Sequence, residues 1–172
     1  MQQIIKNGQV VNDDWYLISD NETDFIPLEC KKYILPLAVW MEFYPHFTLF
    51  HEKPGLLLSS EIDLNQVRSA ITEAPLIVIF FASFMDGTGF STGSLLRETF
   101  NFKGELRATG EILPDQMDYL SRCGFDALSF ADLNALRQAE KMIQAREGDK
   151  AKNYQGDVQM PRTPFQQRFS KV

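Results

Sequence analysis

The chain has 172 residues, a formal net charge of −6, 44% hydrophobic residues and 23% charged residues. This length predicts one domain with a substantial hydrophobic core, and this composition excludes wholesale disorder. The acidic balance disfavours nucleic acid as the main partner, because a nucleic-acid-binding protein needs a basic face to neutralise phosphates.

Cysteine usage and hydropathy indicate where the protein resides. Cys30 and Cys123 form no CxxC pair, so the sequence predicts neither a disulfide framework nor a metal site. The first residues lack the basic region and apolar run of a signal peptide. The longest apolar run, Pro75 to Phe84, is too short to cross a membrane. We therefore predict a cytoplasmic protein with neither a membrane nor a nucleic-acid partner.

The N-terminal region, residues 1–32, is predicted to be a β hairpin followed by an acidic connection. Gln3–Lys6 and Gln9–Val11 flank Asn7-Gly8, a dipeptide that tolerates the positive φ angles of a type I′ turn. The acidic stretch from Asp13 to Asp24 is interpreted as a solvated connection.

Residues 33–147 are predicted to form an α/β core, because short apolar runs alternate there with segments of helical period. Helices between successive strands favour parallel pairing through right-handed crossovers. We expect repeated βα units with a mostly parallel sheet of about five strands. An open sheet with helices on both faces is favoured, and a partial β/α barrel is the alternative. The predicted strand runs are Tyr33–Trp40, Leu56–Ser59, Leu76–Phe81, Glu105–Thr109 and Phe125–Phe130.

Local signals predict how the helices of this core begin and end. Pro75 stops the helix that follows Leu56–Ser59, and Gly124 suits the position just after a helix. Asp132 is expected to cap the last helix, and Ser91 or Thr92 the helix after Leu76–Phe81.

Residues 148–172 are predicted to form an extended C-terminal tail. Helical periodicity ends near Gly148, and basic residues outnumber acidic ones beyond it. Tyr154, Phe165 and Phe169 are available to dock on the domain or on a second subunit.

The loop from Asp86 to Ser91 is the best candidate site, because ligands gather at the carboxyl ends of parallel strands. Gly87 and Gly89 would expose backbone N–H groups at a helix start, where anions bind. Arg97 or Arg107 would add a bidentate clamp. The alternative is an ordinary turn followed by an ordinary helix cap.

Two further interpretations involve the same region. The spacing Gly87-x-Gly89-x-x-x-Gly93 is a loosened dinucleotide fingerprint, which suggests a nicotinamide or flavin, although the charge of Asp86 opposes it. Glu111 and Asp115 are an acid/base pair or, alternatively, helix-start carboxylates. Without a Gly-x-Ser-x-Gly, Walker or His-Glu-x-x-His motif, hydrolase and phosphotransferase functions have no support.

The blocks Phe84–Ser91, Ser94–Glu98, Gly104–Ala108 and Arg122–Ala127 resemble the bacterial family known as domain of unknown function nine-three-four. The resemblance extends over most of residues 1–145. The family loop usually reads Asp-Gly-Arg-Gly-Tyr-Ser, whereas this chain has Thr88 and Phe90 at the arginine and tyrosine positions. The candidate ligand-binding residues are Asp86, Gly87, Gly89, Ser91, Arg97, Arg107, Glu111, Asp115 and Gln116.

The resemblance implies a role in sulfite reduction, because genes of this family usually neighbour a sulfite reductase gene. The first hypothesis is an accessory factor of sulfur assimilation with sulfite reductase as partner and a small-anion or partner site at Asp86–Ser91. The second is a nicotinamide- or flavin-dependent oxidoreductase, a label that family members often carry. The third is a non-catalytic module that oligomerises through Trp40–Phe50 and the tail. Catalytic residues and a cofactor stay unassigned.

Overall fold

A computed structural model describes residues 2–18, 31–50, 52–85 and 87–146. Asp86, the acidic segment 19–30 and the predicted tail 148–172 lie outside the described residues, and the predicted boundaries at residues 32 and 147 stay predictions. The strands are β1 Gln3–Lys6, β2 Gln9–Asn12, β3 Trp15–Leu17, β4 Lys32–Pro36, β5 Gly55–Ser59, β6 Leu76–Phe81, β7 Glu105–Gly110 and β8 Ala127–Phe130. The α-helices are α1 Leu37–Phe43, α2 Arg68–Glu73, α3 Thr88–Glu98, α4 Met117–Arg122 and α5 Leu133–Arg146.

The described strands form one mixed sheet in the order β2-β1-β8-β7-β6-β5-β4-β3. Strands β3 to β8 pair in parallel, whereas β1 pairs antiparallel with both β2 and β8. The α/β class is confirmed, but the expectation of about five parallel strands is wrong. Two features enlarge the sheet beyond this expectation: the N-terminal hairpin joins it, and β3 lies within the predicted solvated connection.

The sheet curls strongly, because a link of two residues connects its two edge strands. β2 and β3 lie at opposite ends of the strand order, yet only Asp13 and Asp14 separate them. Three peptide links span at most about 11 Å, so the two edges of the sheet must lie close together. The strand order does not close into a ring of paired strands, and the result is an open, curled sheet of partial-barrel character.

The consecutive order of β3 to β8 places the helices on one face of the sheet, because every right-handed crossover then leaves on the same side. The favoured arrangement with helices on both faces is therefore wrong. Alternate strand residues such as Leu35, Ile77 and Leu106 join the large core cluster under the helices. The residues between them, including Ile34 and Val78, form a second cluster on the inner face.

Most local signals are confirmed. Asn7 and Gly8 have φ angles of 51° and 76°, as a type I′ hairpin turn requires. Gly124 follows α4 with a φ of 96°. Asp132 Oδ1 accepts the Asn134 N–H at 3.1 Å at the start of α5.

Two local predictions need correction. The apolar run Tyr33–Trp40 is a strand only as far as Pro36, after which α1 begins. A continuous apolar run has no period that separates a buried strand from a buried helix. The apolar positions 64, 67, 71 and 74 predict a helix before Pro75 that already includes Leu64, and the observed helix is shorter. Asp63 Oδ1 accepts the Asn65 N–H and holds a turn there, so that α2 begins only at Arg68.

Candidate functional site

The loop after β6 is exposed where the chain turns into α3. Gly87 is the residue just before α3, and a Cβ at Gly87 would meet no atom within 4 Å. Among the described residues, no side-chain hydrogen bond caps this helix. Met85 donates its backbone N–H to Ser83 Oγ at 3.3 Å, which fixes a tight turn. The loop therefore offers an accessible surface at the carboxyl end of a buried central strand.

The loop after β7, residues 110–116, packs beside this first loop. Glu111 donates its backbone N–H to the Phe81 carbonyl at 2.9 Å. Gln116 Nε2 donates to the Phe84 carbonyl at 3.0 Å, while Gln116 Oε1 accepts the Leu113 N–H at 3.0 Å. A single glutamine side chain therefore ties the two loops together. We define the loop surface as residues 83–85, Gly87 and residues 110–116.

Two of the spaced glycines pack against aromatic rings. A Cβ on Gly89 would come within 2.5 Å of the Phe81 ring, and a Cβ on Gly93 would collide with the Phe125 ring. Both glycines are buried. Close packing of α3 on the sheet therefore accounts for their spacing without a bound pyrophosphate.

The start of α3 differs from the predicted cap. The helix begins at Thr88, so Ser91 and Thr92 lie one turn inside it and neither caps it. Ser91 is exposed, whereas Thr92 is buried and donates its hydroxyl to the Ser60 carbonyl at 2.8 Å. Phe90, at the family's tyrosine position, packs between Phe81 and Tyr119 with ring centroids 5.3 and 4.8 Å away.

The guanidinium of Arg97 binds groups at the amino ends of β7 and β8. Its N–H groups donate to the carbonyls of Phe102, Gly104 and Gly124 at 2.7–2.9 Å, and Nη2 pairs with Asp126. These partners precede β7 and β8, so they lie at the opposite edge of the sheet from the loop surface, which follows β6 and β7. Arg97 thus lies away from that surface. Its N–H groups connect the chain segments that lead into β7 and β8.

Arg107 lies on the inner face of the sheet in an ion-pair network. Its side chain is 3% exposed, with Nη1 at 2.8 Å from Asp13 Oδ2 and Nη2 at 2.8 Å from Glu105 Oε1. Lys6 Nζ completes the network at 2.7 Å from Glu105 Oε2. Burial tends to raise the pKa of Glu105, but the hydrogen bond from Lys6 and the charge of Arg107 outweigh it and lower the pKa. We call these four residues the inner ion network.

Sequence reasoning missed Asp13 as a member of this network. The predicted solvated acidic stretch includes Asp13, yet the side chain of Asp13 is only 5% exposed. The available signal was its position two residues before Trp15, an amphipathic anchor that packs against the inner-face cluster. Arg107 also gave a signal, because a charge in the middle of a covered strand requires a partner.

The loop surface combines exposed apolar side chains with carboxylates. Phe84 is 48% exposed, Met85 81% and Leu113 41%. The carboxylates of Glu111 and Asp115 are exposed on the same loop as Leu113. Phe80, 44% exposed at the end of β6, also borders a cavity of about 300 Å³ at the carboxyl ends of β4, β5 and β6.

Other predicted features have the following positions. The segment Trp40–Phe50 forms α1 and a 3₁₀ helix, in which Trp40 and Phe47 stack edge to face at 4.7 Å. Cys123 is buried, and that burial raises the pKa of its thiol.

Within the described ranges, no three His, Cys, Asp or Glu residues are grouped as a metal site requires. Across those same ranges, no helix has the length and apolar content that crossing a membrane requires.

A family model described as "Bacterial protein of unknown function (DUF934)" matches residues 55–165. The chain belongs to this family. The DUF934 match includes both loops of the loop surface, all strands from β5 to β8, and the chain beyond α5 as far as Phe165. No curated protein and no solved structure matches the chain.

Proposed function

We propose that this DUF934 protein is an accessory factor of sulfite reduction that binds a partner protein through the loop surface and is not itself a catalyst. The observation that carries the proposal is the exposed apolar group Phe84, Met85 and Leu113 beside two carboxylates. An apolar centre with a charged rim is the usual composition of a protein-binding patch. Sulfite reductase is the partner that the family resemblance suggests.

The charges of the loop surface favour a partner over a small anion. Arg97 and Arg107 donate to internal acceptors, so neither supplies the clamp that an anion would need. The charged side chains described on the loop surface itself are Glu111 and Asp115. A partner with a basic rim around an apolar centre would complement this surface, because opposite charges steer association.

The oxidoreductase alternative stays a prediction without a specific observation in its favour. Its motivation was the glycine spacing, and packing against Phe81 and Phe125 accounts for two of those glycines. The oligomerisation alternative also stays a prediction. Met41 and Tyr44 are 51% and 45% exposed in the Trp40–Phe50 segment, while the neighbouring rings pack on one another.

The direct test is binding of the purified protein to purified sulfite reductase, measured by biolayer interferometry. We expect Met85→Asp to weaken binding at least ~10-fold, because truncating or charging an anchor costs ~2 kcal/mol or more. Met41→Asp is the matched control, since it makes the same substitution at a methionine that is 51% exposed on α1, outside the loop surface. It should bind like the wild type.

Three outcomes would contradict the proposal. Wild-type protein that shows no binding at micromolar concentration would remove sulfite reductase as the partner. Equal binding by the Met85→Asp variant would remove the loop surface as the docking site. A deletion strain that grows normally on sulfate as its sulfur source would remove the role in sulfite reduction.

A further inference from the structure

A groove of about 520 Å³ lies between the β1–β2 turn, α4 and α5. Ile5, Phe125 and Leu128 contribute apolar side chains to it, and Asp118 and Asp126 contribute carboxylates, of which that of Asp126 also pairs with Arg97. We call this cavity the hairpin groove. An apolar floor with acidic groups at the rim suits a segment that carries both aromatic and basic side chains.

The described part of the chain ends beside this groove. Ile143 lines the groove, and the described part of α5 extends three residues farther, to Arg146. Arg146, the last described residue, therefore lies about 5 Å along the helix axis from a residue that lines the cavity. Residues 147–160 supply more than enough length for the following segment to return to it, since each residue spans up to about 3.5 Å.

The sequence of this C-terminal segment complements the groove. Lys150, Lys152, Arg162, Arg168 and Lys171 outnumber Asp149 and Asp157, although the whole chain has a net charge of −6. Phe165 and Phe169 flank Arg168 within the stretch Pro161–Phe169. Two aromatic rings with a guanidinium between them match an apolar floor with carboxylates beside it.

The extent of the family match gives independent support. The DUF934 model continues past the end of α5 to Phe165, so this stretch belongs to the family's domain and is not an appendage of one chain. An aromatic-bearing segment inside a domain requires apolar surface to cover, and the hairpin groove supplies such surface beside the point where α5 ends.

We propose that residues 161–169 dock in the hairpin groove of their own chain. Phe165 and Phe169 contact the apolar floor, and Arg168 lies near the carboxylates of Asp118 and Asp126. The proposal is independent of the function assigned to the loop surface, since none of its residues belongs to that surface.

Disulfide trapping in the full-length chain tests the proposal. In a Cys30→Ser, Cys123→Ser background, Ser121→Cys on the groove wall is combined with Ser170→Cys beside Phe169. The control combines the same Ser170→Cys with Ser69→Cys, an exposed position on α2. We expect the disulfide within one chain to form at least tenfold faster for the Ser121→Cys pair.

A further variant tests whether the two phenylalanines cause the faster disulfide formation. Adding Phe165→Ser and Phe169→Ser should remove the difference in rate between the two pairs. Equal rates without those changes would overturn the proposal, and disulfides formed only between two chains would show that a second copy fills the groove.

Hydrogen exchange on the chain with its native cysteines is the second measurement. Phe165→Ser with Phe169→Ser should deprotect the amides near Asn7 and in α4, and unchanged protection would also overturn the docking.

Discussion

Gly87 and Gly89 lie two residues apart in one sequence motif, yet their surroundings differ completely. A Cβ on Gly87 would project into open space, whereas a Cβ on Gly89 would meet the Phe81 ring. A phosphate-binding role would require backbone that a ligand can approach. The structure gives such access at Gly87, while Gly89 serves the contact between α3 and β6.

This difference yields a matched pair of substitutions. Gly89→Ala should lower the free energy of unfolding by about 1–3 kcal/mol, because the added methyl group overpacks the contact with Phe81. Gly87→Ala should change it by about 0.5 kcal/mol or less. Urea denaturation of both variants measures the difference. Equal stability of the two variants would contradict the packing role of Gly89.

Arg97 shows at the same scale why a residue type does not establish a role. An arginine near a glycine-rich loop was a reasonable candidate for an anion clamp. Its side chain instead donates to backbone carbonyls and to Asp126 at the other end of β7 and β8. The position of Arg97 along α3 explains this difference. Arg97 lies in the last turn of the helix, whereas the loop surface lies at the opposite end, before the first turn.

Strand β7 carries the inner ion network at the scale of a single element. Glu105 and Arg107 alternate with Leu106 and Ala108, so the charges lie on the inner face and the apolar residues lie under the helices. This alternation is visible in the sequence. The sequence does not show that Lys6 at the end of β1 and Asp13 just after β2 form ion pairs with Glu105 and Arg107.

The lowered pKa of Glu105 predicts a pH dependence of stability. A carboxylate whose pKa is lower in the folded state stabilises the protein fully above its ordinary pKa of 4.5, and this contribution is lost as the pH falls through the folded-state pKa. We expect the free energy of unfolding to fall below about pH 4.5, and to fall less steeply in the Glu105→Gln variant. Chemical denaturation at a series of pH values measures both slopes.

Lys6→Met serves as the companion variant. It removes the hydrogen bond that contributes to the lowered pKa of Glu105, so the folded-state pKa moves towards 4.5 and the loss of stability below about pH 4.5 should be smaller than in the wild type. If Glu105→Gln and the wild type showed the same slope, the inner ion network would not be the source of the acid sensitivity.

At the scale of the whole molecule, curling of the sheet brings distant strands together. Asp13 lies in the link between the two edges, and Arg107 lies on β7, three places from the β2 edge and four from the β3 edge. In a flat sheet with strands about 4.8 Å apart, these side chains would not meet. Their ion pair at 2.8 Å therefore depends on the curvature.

A double-mutant cycle with Asp13→Asn and Arg107→Met tests this contact across the sheet. Arg107→Met alone should cost about 3–5 kcal/mol, because it leaves buried carboxylates without their counter-charge. The two substitutions should be non-additive by about 0.5–3 kcal/mol. Additive effects would indicate that the two side chains do not interact. Lys53→Met, which breaks an exposed pair with Glu73, is the control and should leave stability unchanged.

The sequence by itself determined the local features of this protein. It determined the hairpin turn at Asn7-Gly8, the buried central strand, the cap at Asp132, the family and the loops that follow β6 and β7. Each of these depends on residues within a few positions of one another, where turn preference, periodicity and capping are decided.

The tertiary structure alone decided the curvature of the sheet, the face that the helices cover and the partners of Arg97 and Arg107. These properties depend on contacts between residues 27 to 94 positions apart, such as Asp13 with Arg107 and Arg97 with Gly124. No local pattern encodes such pairs. They follow from strand order and from the requirement that every buried charge and every apolar face find its complement.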